Sequence, residues 1–161
     1  MNVIKITHFD TANGKGIRTV LWVAGCEHHC KGCHNQFTWD KNIGEPFSEQ
    51  HKVDIWQSLQ QPYIKGITFS GGDPLHPNNR EAITQLAKEI KQDFPDKDIW
   101  CYTGYSWEEV SQWDIVNYLD VLVDGKFVAE LKDLTLPYCG SRNQRVIDVQ
   151  KSIRTNRIEL Y

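Results

Sequence analysis

The sequence predicts an α/β protein: a partial, open parallel β/α barrel folded as a single domain over residues 1–161. Three observations predict it. Short runs rich in β-branched and aromatic residues alternate with segments of helical periodicity, the pattern of strands joined by crossover helices. At 161 residues the chain is too short for an eight-fold barrel of about 250 residues, which leaves an open or partial one. No internal repeat, low-complexity tract or Ser/Gly linker divides the chain.

The elements follow in order. Residues 3–6 form a weak strand, with Lys5 among the apolar positions. Residues 19–24 form a stronger one. Ser48 can cap a helix whose Val53, Ile55, Trp56 and Leu59 lie largely on one side, and Pro62 ends it. Residues 67–70 are the next strand. Asn78 with Glu81 resembles a capping box, and Ala82, Ile83, Leu86, Ala87, Ile90 and Phe94 keep helical spacing up to Pro95. Residues 99–103 return to strand, and Ser106 with Glu109 repeats the capping device. Residues 121–123 and 146–149 complete the strands. In a parallel sheet built this way, functional loops belong at the carboxyl ends of the strands.

Composition narrows the function. Eighteen Lys and Arg against 21 Asp and Glu give a net charge of -3, which argues against a dedicated nucleic-acid binder. The amino-terminal residues lack the apolar core of a secretory signal, and no apolar run approaches the ~18 residues of a membrane span, so a cytoplasmic protein is expected. Residues 141–161 carry five basic residues against two acidic ones, read as a solvated surface or a contact patch for an acidic partner.

Five cysteines are present, and three fall within eight residues as Cys26-x3-Cys30-x2-Cys33. In a reducing compartment that clustering reads as metal ligation or catalysis. Three thiolates on a 4Fe-4S cubane, which normally takes four, leave one iron open. A zinc site completed by His28, His29 or His34 is the competing reading. Cys101 and Cys139 are read as ordinary buried thiols, and His28 and His29 as solvated loop residues. Trp22, Trp39, Trp56, Trp100, Trp107 and Trp113 are assigned to packing. A second motif, Ser70-Gly71-Gly72-Asp73-Pro74, stops the strand at 67–70 abruptly. Its glycines admit a ligand to bare backbone, and backbone carbonyls and Asp73 can accept hydrogen bonds from an ammonium group.

Cys26, Cys30 and Cys33 after an early strand, followed by Gly71-Gly72-Asp73-Pro74, resemble the radical S-adenosylmethionine superfamily. Asn13-Gly14-Lys15-Gly16-Ile17-Arg18, running into Leu21-Trp22-Val23-Ala24-Gly25-Cys26, resembles the glycyl-radical-enzyme activases. Cys33-His34-Asn35, Tyr102-Thr103-Gly104-Tyr105, Val123-Asp124-Gly125-Lys126-Phe127 and the segment from Gly140 to Asp148 are similar to the anaerobic ribonucleoside-triphosphate reductase-activating proteins. The resemblance implies that Cys26, Cys30 and Cys33 hold a 4Fe-4S cluster. Its open iron would bind the amino and carboxylate groups of S-adenosyl-L-methionine, with Gly71, Gly72 and Asp73 lining the methionine end. It further implies adenine contacts from Gly32, Cys33 and His34, and a methionine or ribose contact from Thr103. Asp124 is read as a turn residue. Gly32 departs from the pattern, since many superfamily members carry an aromatic residue there.

The implied reaction is one-electron cleavage of the sulfonium to methionine and a 5′-deoxyadenosyl radical, which takes a hydrogen atom from a glycine of the large anaerobic reductase subunit. The implied electron donor is reduced flavodoxin or a similar protein. The alternatives are an activase for another glycyl radical enzyme, such as pyruvate formate-lyase, and a zinc-binding interaction module. The cofactor supplies the radical and the protein positions it, so no catalytic base is assigned.

Overall fold

The computed structural model describes residues 1–161. Its strands are β1 (Asn2–Asp10), β2 (Ile17–Val23), β3 (Glu45–Pro46), β4 (Ile64–Gly71), β5 (Asp98–Tyr102), β6 (Val121–Asp124) and β7 (Arg145–Asp148). The helices are α1 (Glu49–Leu59), α2 (Arg80–Asp93), α3 (Trp107–Val110) and α4 (Val149–Thr155). The strands form one open seven-stranded sheet in the order β3-β1-β2-β4-β5-β6-β7.

Only the central strands β2, β4, β5 and β6 are parallel. This corrects the expectation of a parallel sheet throughout, because β1, β3 and β7 pair antiparallel. The connections explain why. Parallel neighbours need a crossover of about a dozen residues or more, whereas antiparallel neighbours accept a tight link. Residues 11–16 between β1 and β2 are too few for a crossover. Residues 125–144 between β6 and β7 hold only a single 3-10 turn at Ala129–Leu131, with no helix to carry the chain back.

The two faces of the sheet differ in chemistry. On one face Leu21, Val23, Ile67, Phe69, Ile99, Cys101 and Leu122 join Ile55 and Leu59 of α1 and Ile83, Leu86, Ala87 and Ile90 of α2 in a buried core of 22 residues. Full burial of each such Leu or Ile contributes about 1.5–3 kcal/mol. Period-two alternation turns the intervening residues to the other face, where Trp100, Val121 and Val123 pack with Tyr102, Tyr138 and Val146. Arg18 is also fully buried there, with its guanidinium 5.2 Å from the Trp100 ring centroid.

Helix starts match the sequence in part. Ser106 and Glu109 form the expected capping box, the Ser106 amide donating to Glu109 Oε2 at 2.9 Å. Ser48 caps α1 with His51 as its reciprocal partner. The Asn78–Glu81 box does not form: Asn79 is the N-cap of α2, and its side chain makes no cap hydrogen bond. Asn79 Nδ2 donates instead to the carbonyls of Ala24 at 2.8 Å and Asp73 at 3.0 Å, tying together the loops that follow β2 and β4.

The basic C-terminal stretch is divided by its partners. Arg145 grips the buried Asp124 carboxylate and also meets Glu108, and Lys151 pairs with Glu159. Arg142, Arg154 and Arg157 are exposed. No helix is long and apolar enough to cross a membrane.

Candidate functional site

The cysteine loop leaves the carboxyl end of β2, beside the ends of β4 and β5. It is pinned at its start, where the Gly25 amide donates to Thr38 O at 2.8 Å and the Cys26 amide to Trp39 O at 3.1 Å. Further on, the Asn35 amide donates to Cys33 Sγ at 3.4 Å, and Asn35 Nδ2 to Gly71 O at 3.4 Å. Cys26, Cys30 and Cys33 thereby line one pocket together with His28, His34, Gly71, Gly72, Asp73, Thr103 and Gly104. Trp22, Ser70 and Tyr102 reach the same pocket from the second face of the sheet, and Trp39, Phe127 and Gln144 from the loops.

The donor set fits an iron-sulfur cluster by its chemistry. It offers three soft sulfurs, all half-buried, lining one pocket. Burial pushes the Cys26 thiol up to about 11, and the nearby Asp73 carboxylate and the other two thiols add to the rise. A thiolate there needs cationic charge beside it, which bound iron supplies while displacing the thiol proton. No three His, Cys, Asp or Glu side chains already meet at metal-coordinating spacing.

The double glycine joins β4 to the cysteine loop. Gly71 has φ +116°, and a Cβ there would lie 2.5 Å from the amide nitrogen and carbonyl oxygen of Val23. A Cβ on Gly72 would lie 2.5 Å from Gly25 O and 2.9 Å from Thr38 O. The close approach lets the Gly72 amide donate to Val23 O and the Asp73 amide to Gly25 O, both at 2.7 Å. Gly72→Ala is expected to lower stability by about 1–3 kcal/mol and to push the cysteine loop outward. Urea titration with iron and sulfide analysis checks this, and an unchanged midpoint with full iron loading would refute it.

Asp73 is 1% exposed and its carboxylate is engaged on every side. Oδ1 accepts from the Leu75 amide at 2.8 Å and from Thr103 Oγ1 at 2.9 Å. Oδ2 accepts from the Gly104 amide at 2.9 Å and lies 2.7 Å from His28 Nε2. An ionised carboxylate offers about four acceptor positions, so these partners saturate it. The sequence expectation that this side chain receives an ammonium group meets a group already committed to holding loops together.

The remaining expected residues separate. Cys33, His34 and Thr103 reach the pocket, whereas Gly32 is exposed beside Phe127 and Ala129 and outside the pocket lining. Asp124 faces away from the pocket chemistry, accepting from the Trp107 amide at 2.7 Å and from Arg145. Cys101 is buried in the core and Cys139 packs beside Trp100. His28 corrects the reading of a solvated loop residue: its side chain is only 7% exposed. His29 is exposed, with its ring 4.7 Å from that of Trp39. Trp22 and Tyr102 were accessible from alternation, since each lies on the same face of the sheet as Ser70, a polar pocket residue on β4. His28 had no comparable signal, because its partners come from two other strands.

Known proteins agree with this class of site. Residues 12–147 match the family described as a 4Fe-4S single cluster domain. The chain is 43% identical over 146 residues to the anaerobic ribonucleoside-triphosphate reductase-activating protein of Enterobacteria phage T4, covering 91% of this chain and 93% of that one. It is 45% identical over 150 residues to the protein of the same name from Escherichia coli K12, covering 91% and 97%. The Vibrio cholerae counterpart is 45% identical over 148 residues, covering 89% and 96%. The chain belongs to the family of anaerobic ribonucleoside-triphosphate reductase-activating proteins.

Proposed function

We propose that this chain activates anaerobic ribonucleoside-triphosphate reductase by generating a glycyl radical on it, as a radical S-adenosylmethionine enzyme. The observation that carries this reading is the convergence of Cys26, Cys30, Cys33 and the Gly71-Gly72-Asp73 turn on one pocket at the carboxyl ends of parallel strands. Relatives bearing the activating-protein name support the choice of partner.

Cys26, Cys30 and Cys33 would hold the cluster, with the fourth iron left for the amino and carboxylate groups of S-adenosyl-L-methionine. When bound, the cluster and S-adenosyl-L-methionine supply one-electron cleavage of the sulfonium, giving methionine and a 5′-deoxyadenosyl radical that removes a hydrogen atom from glycine Cα. The electron comes from reduced flavodoxin or a similar low-potential donor. The chain's own work is positioning. The backbone at Gly71 and Gly72 lines the methionine end, Cys33 and His34 border the nucleoside, and Thr103 closes the wall at the end of β5. Trp22, Trp39 and Phe127 add apolar wall that excludes water from the pocket.

The test combines anaerobically reconstituted protein, S-adenosyl-L-methionine, reductant and reductase, read by electron paramagnetic resonance. A glycyl radical doublet on the reductase, with release of 5′-deoxyadenosine, is the expected result. A doublet on pyruvate formate-lyase and none on the reductase would reassign the partner. A colourless protein holding one tight zinc would replace the reading with a structural metal module.

A further inference from the structure

We infer that His28 and Asp73 are a positioning pair that sets the cysteine loop for S-adenosyl-L-methionine, with Asp73 acting through His28 and Thr103 rather than by touching the ligand. The inference rests on the function proposed above and assigns work within that site.

His28 occupies the middle of the three-residue spacer between Cys26 and Cys30, so its placement fixes the backbone that aims both thiols. Its side chain enters a slot built by other elements. Asp73, after β4, lies 2.7 Å from Nε2. A carboxylate only accepts, so Nε2 carries the hydrogen. Gly104, after β5, forms the floor, and a Cβ there would collide with the imidazole. Tyr105 packs edge-on, its ring 4.6 Å from that of His28. The Tyr105 hydroxyl donates to Glu27 Oε1 at 2.9 Å, so two successive residues of the spacer are held by the turn after β5.

Asp73 completes the arrangement from the other side. Thr103 and Gly104 donate to it from β5, Leu75 from its own loop and His28 from the cysteine loop. One buried carboxylate therefore joins the loops following β2, β4 and β5 at the pocket wall. A hydrogen bond to a charged group is stronger than a neutral one, and losing a partner leaves the buried carboxylate under-satisfied. The loop is then free to shift, and catalytic geometry tolerates only about half an ångström of play.

The experiment compares wild type, His28→Ala, His28→Gln and Asp73→Asn after anaerobic reconstitution. The readouts are iron content and the change that S-adenosyl-L-methionine causes in the spectrum of the reduced cluster. Gln can place an amide N–H near the position of Nε2. His28→Ala is expected to load iron as wild type does but to need about tenfold more S-adenosyl-L-methionine for half of the spectral change, a difference of about 1.4 kcal/mol. His28→Gln is expected to stay within about threefold of wild type, about 0.7 kcal/mol. A His28→Ala protein that titrates like wild type overturns the inference, and does so in favour of direct contact if Asp73→Asn alone is shifted. Should His28→Ala give no folded protein, His28→Phe fills the slot without a donor, and equal midpoints for His28→Phe and His28→Gln overturn the inference. A wild type that forms no cluster, or whose cluster ignores S-adenosyl-L-methionine, refutes the proposed function instead, so the two failures are distinguishable.

Discussion

Replacing Cys30 with alanine is expected to bring 5′-deoxyadenosine formation down to the uncatalysed background and to prevent stable assembly of a four-iron cluster. A cubane normally takes four thiolates, and this loop offers three, so it has none to spare. No other thiol is near enough to substitute. Cys101 lies in the core on the far face of the sheet, Cys139 packs beside Trp100, and neither lines the pocket. The imidazole of His28 is held by Asp73 and enclosed by Gly104 and Tyr105. The fold itself should hardly notice, because Cys30 is half-buried in a loop and truncating it costs within about 1 kcal/mol. Iron and sulfide analysis, product chromatography and thermal melting therefore separate lost ligation from lost folding. A Cys30→Ala protein that keeps four iron and turns over S-adenosyl-L-methionine would remove Cys30 from the ligand set.

Local signals in the sequence were sufficient where a residue's role depends on its neighbours. The cysteine spacing, the Gly71-Gly72 strand stop and the Ser106–Glu109 capping box all depend on residues within a few positions, and the structure forms the last as written. The central strands and helices α1 and α2 were also legible, because their apolar periodicity answers directly to burial. Strand direction was not. Whether β7 runs parallel to β6 depends on what residues 125–144 do, and only their lack of a crossover helix decides it. Asn79 took the N-cap position from Asn78 because two buried carbonyls after β2 and β4 needed a donor, a demand that exists only once the loops have met. His28 escaped notice for the same reason: its partners lie 45 and 76–77 residues further along the chain at Asp73, Gly104 and Tyr105.

Removing Arg18 is expected to be the most destabilising single change on the second face of the sheet. Arg18 is fully buried between β2, β4 and β5. Its Nε donates to Thr68 Oγ1 at 2.8 Å, Nη2 to Ile67 O at 2.7 Å, and Nη1 to Lys15 O at 3.1 Å, while Nη1 also pairs with Asp98 Oδ1 at 2.5 Å. Arg18→Met keeps much of the volume and deletes every one of these donors. Breaking a buried pair from one side costs about 3–5 kcal/mol, because the other charge stays behind. Arg18→Lys keeps the charge, but a single ammonium cannot serve a planar fork of partners, so an intermediate loss is expected.

The pH dependence separates the ion pair from simple packing. Burial raises the Asp98 pKa even in the presence of Arg18, which opposes the rise. Without Arg18 it climbs further. Between the ordinary carboxylate pKa and that raised value, the folded state of the variant binds more protons than the unfolded state, so its stability falls as pH rises through the window. The Arg18→Met penalty should therefore be largest near neutral pH and shrink on acidification toward the raised Asp98 range. Urea midpoints for wild type and variant measured across that interval check the sign, and a pH-independent penalty would assign the loss to packing alone. The consequence reaches the site through Thr68, whose hydroxyl accepts from Arg18 and donates to Asn13 O at 2.7 Å. Asn13 lines the same pocket as the three cysteines, so loosening Arg18 also releases that wall.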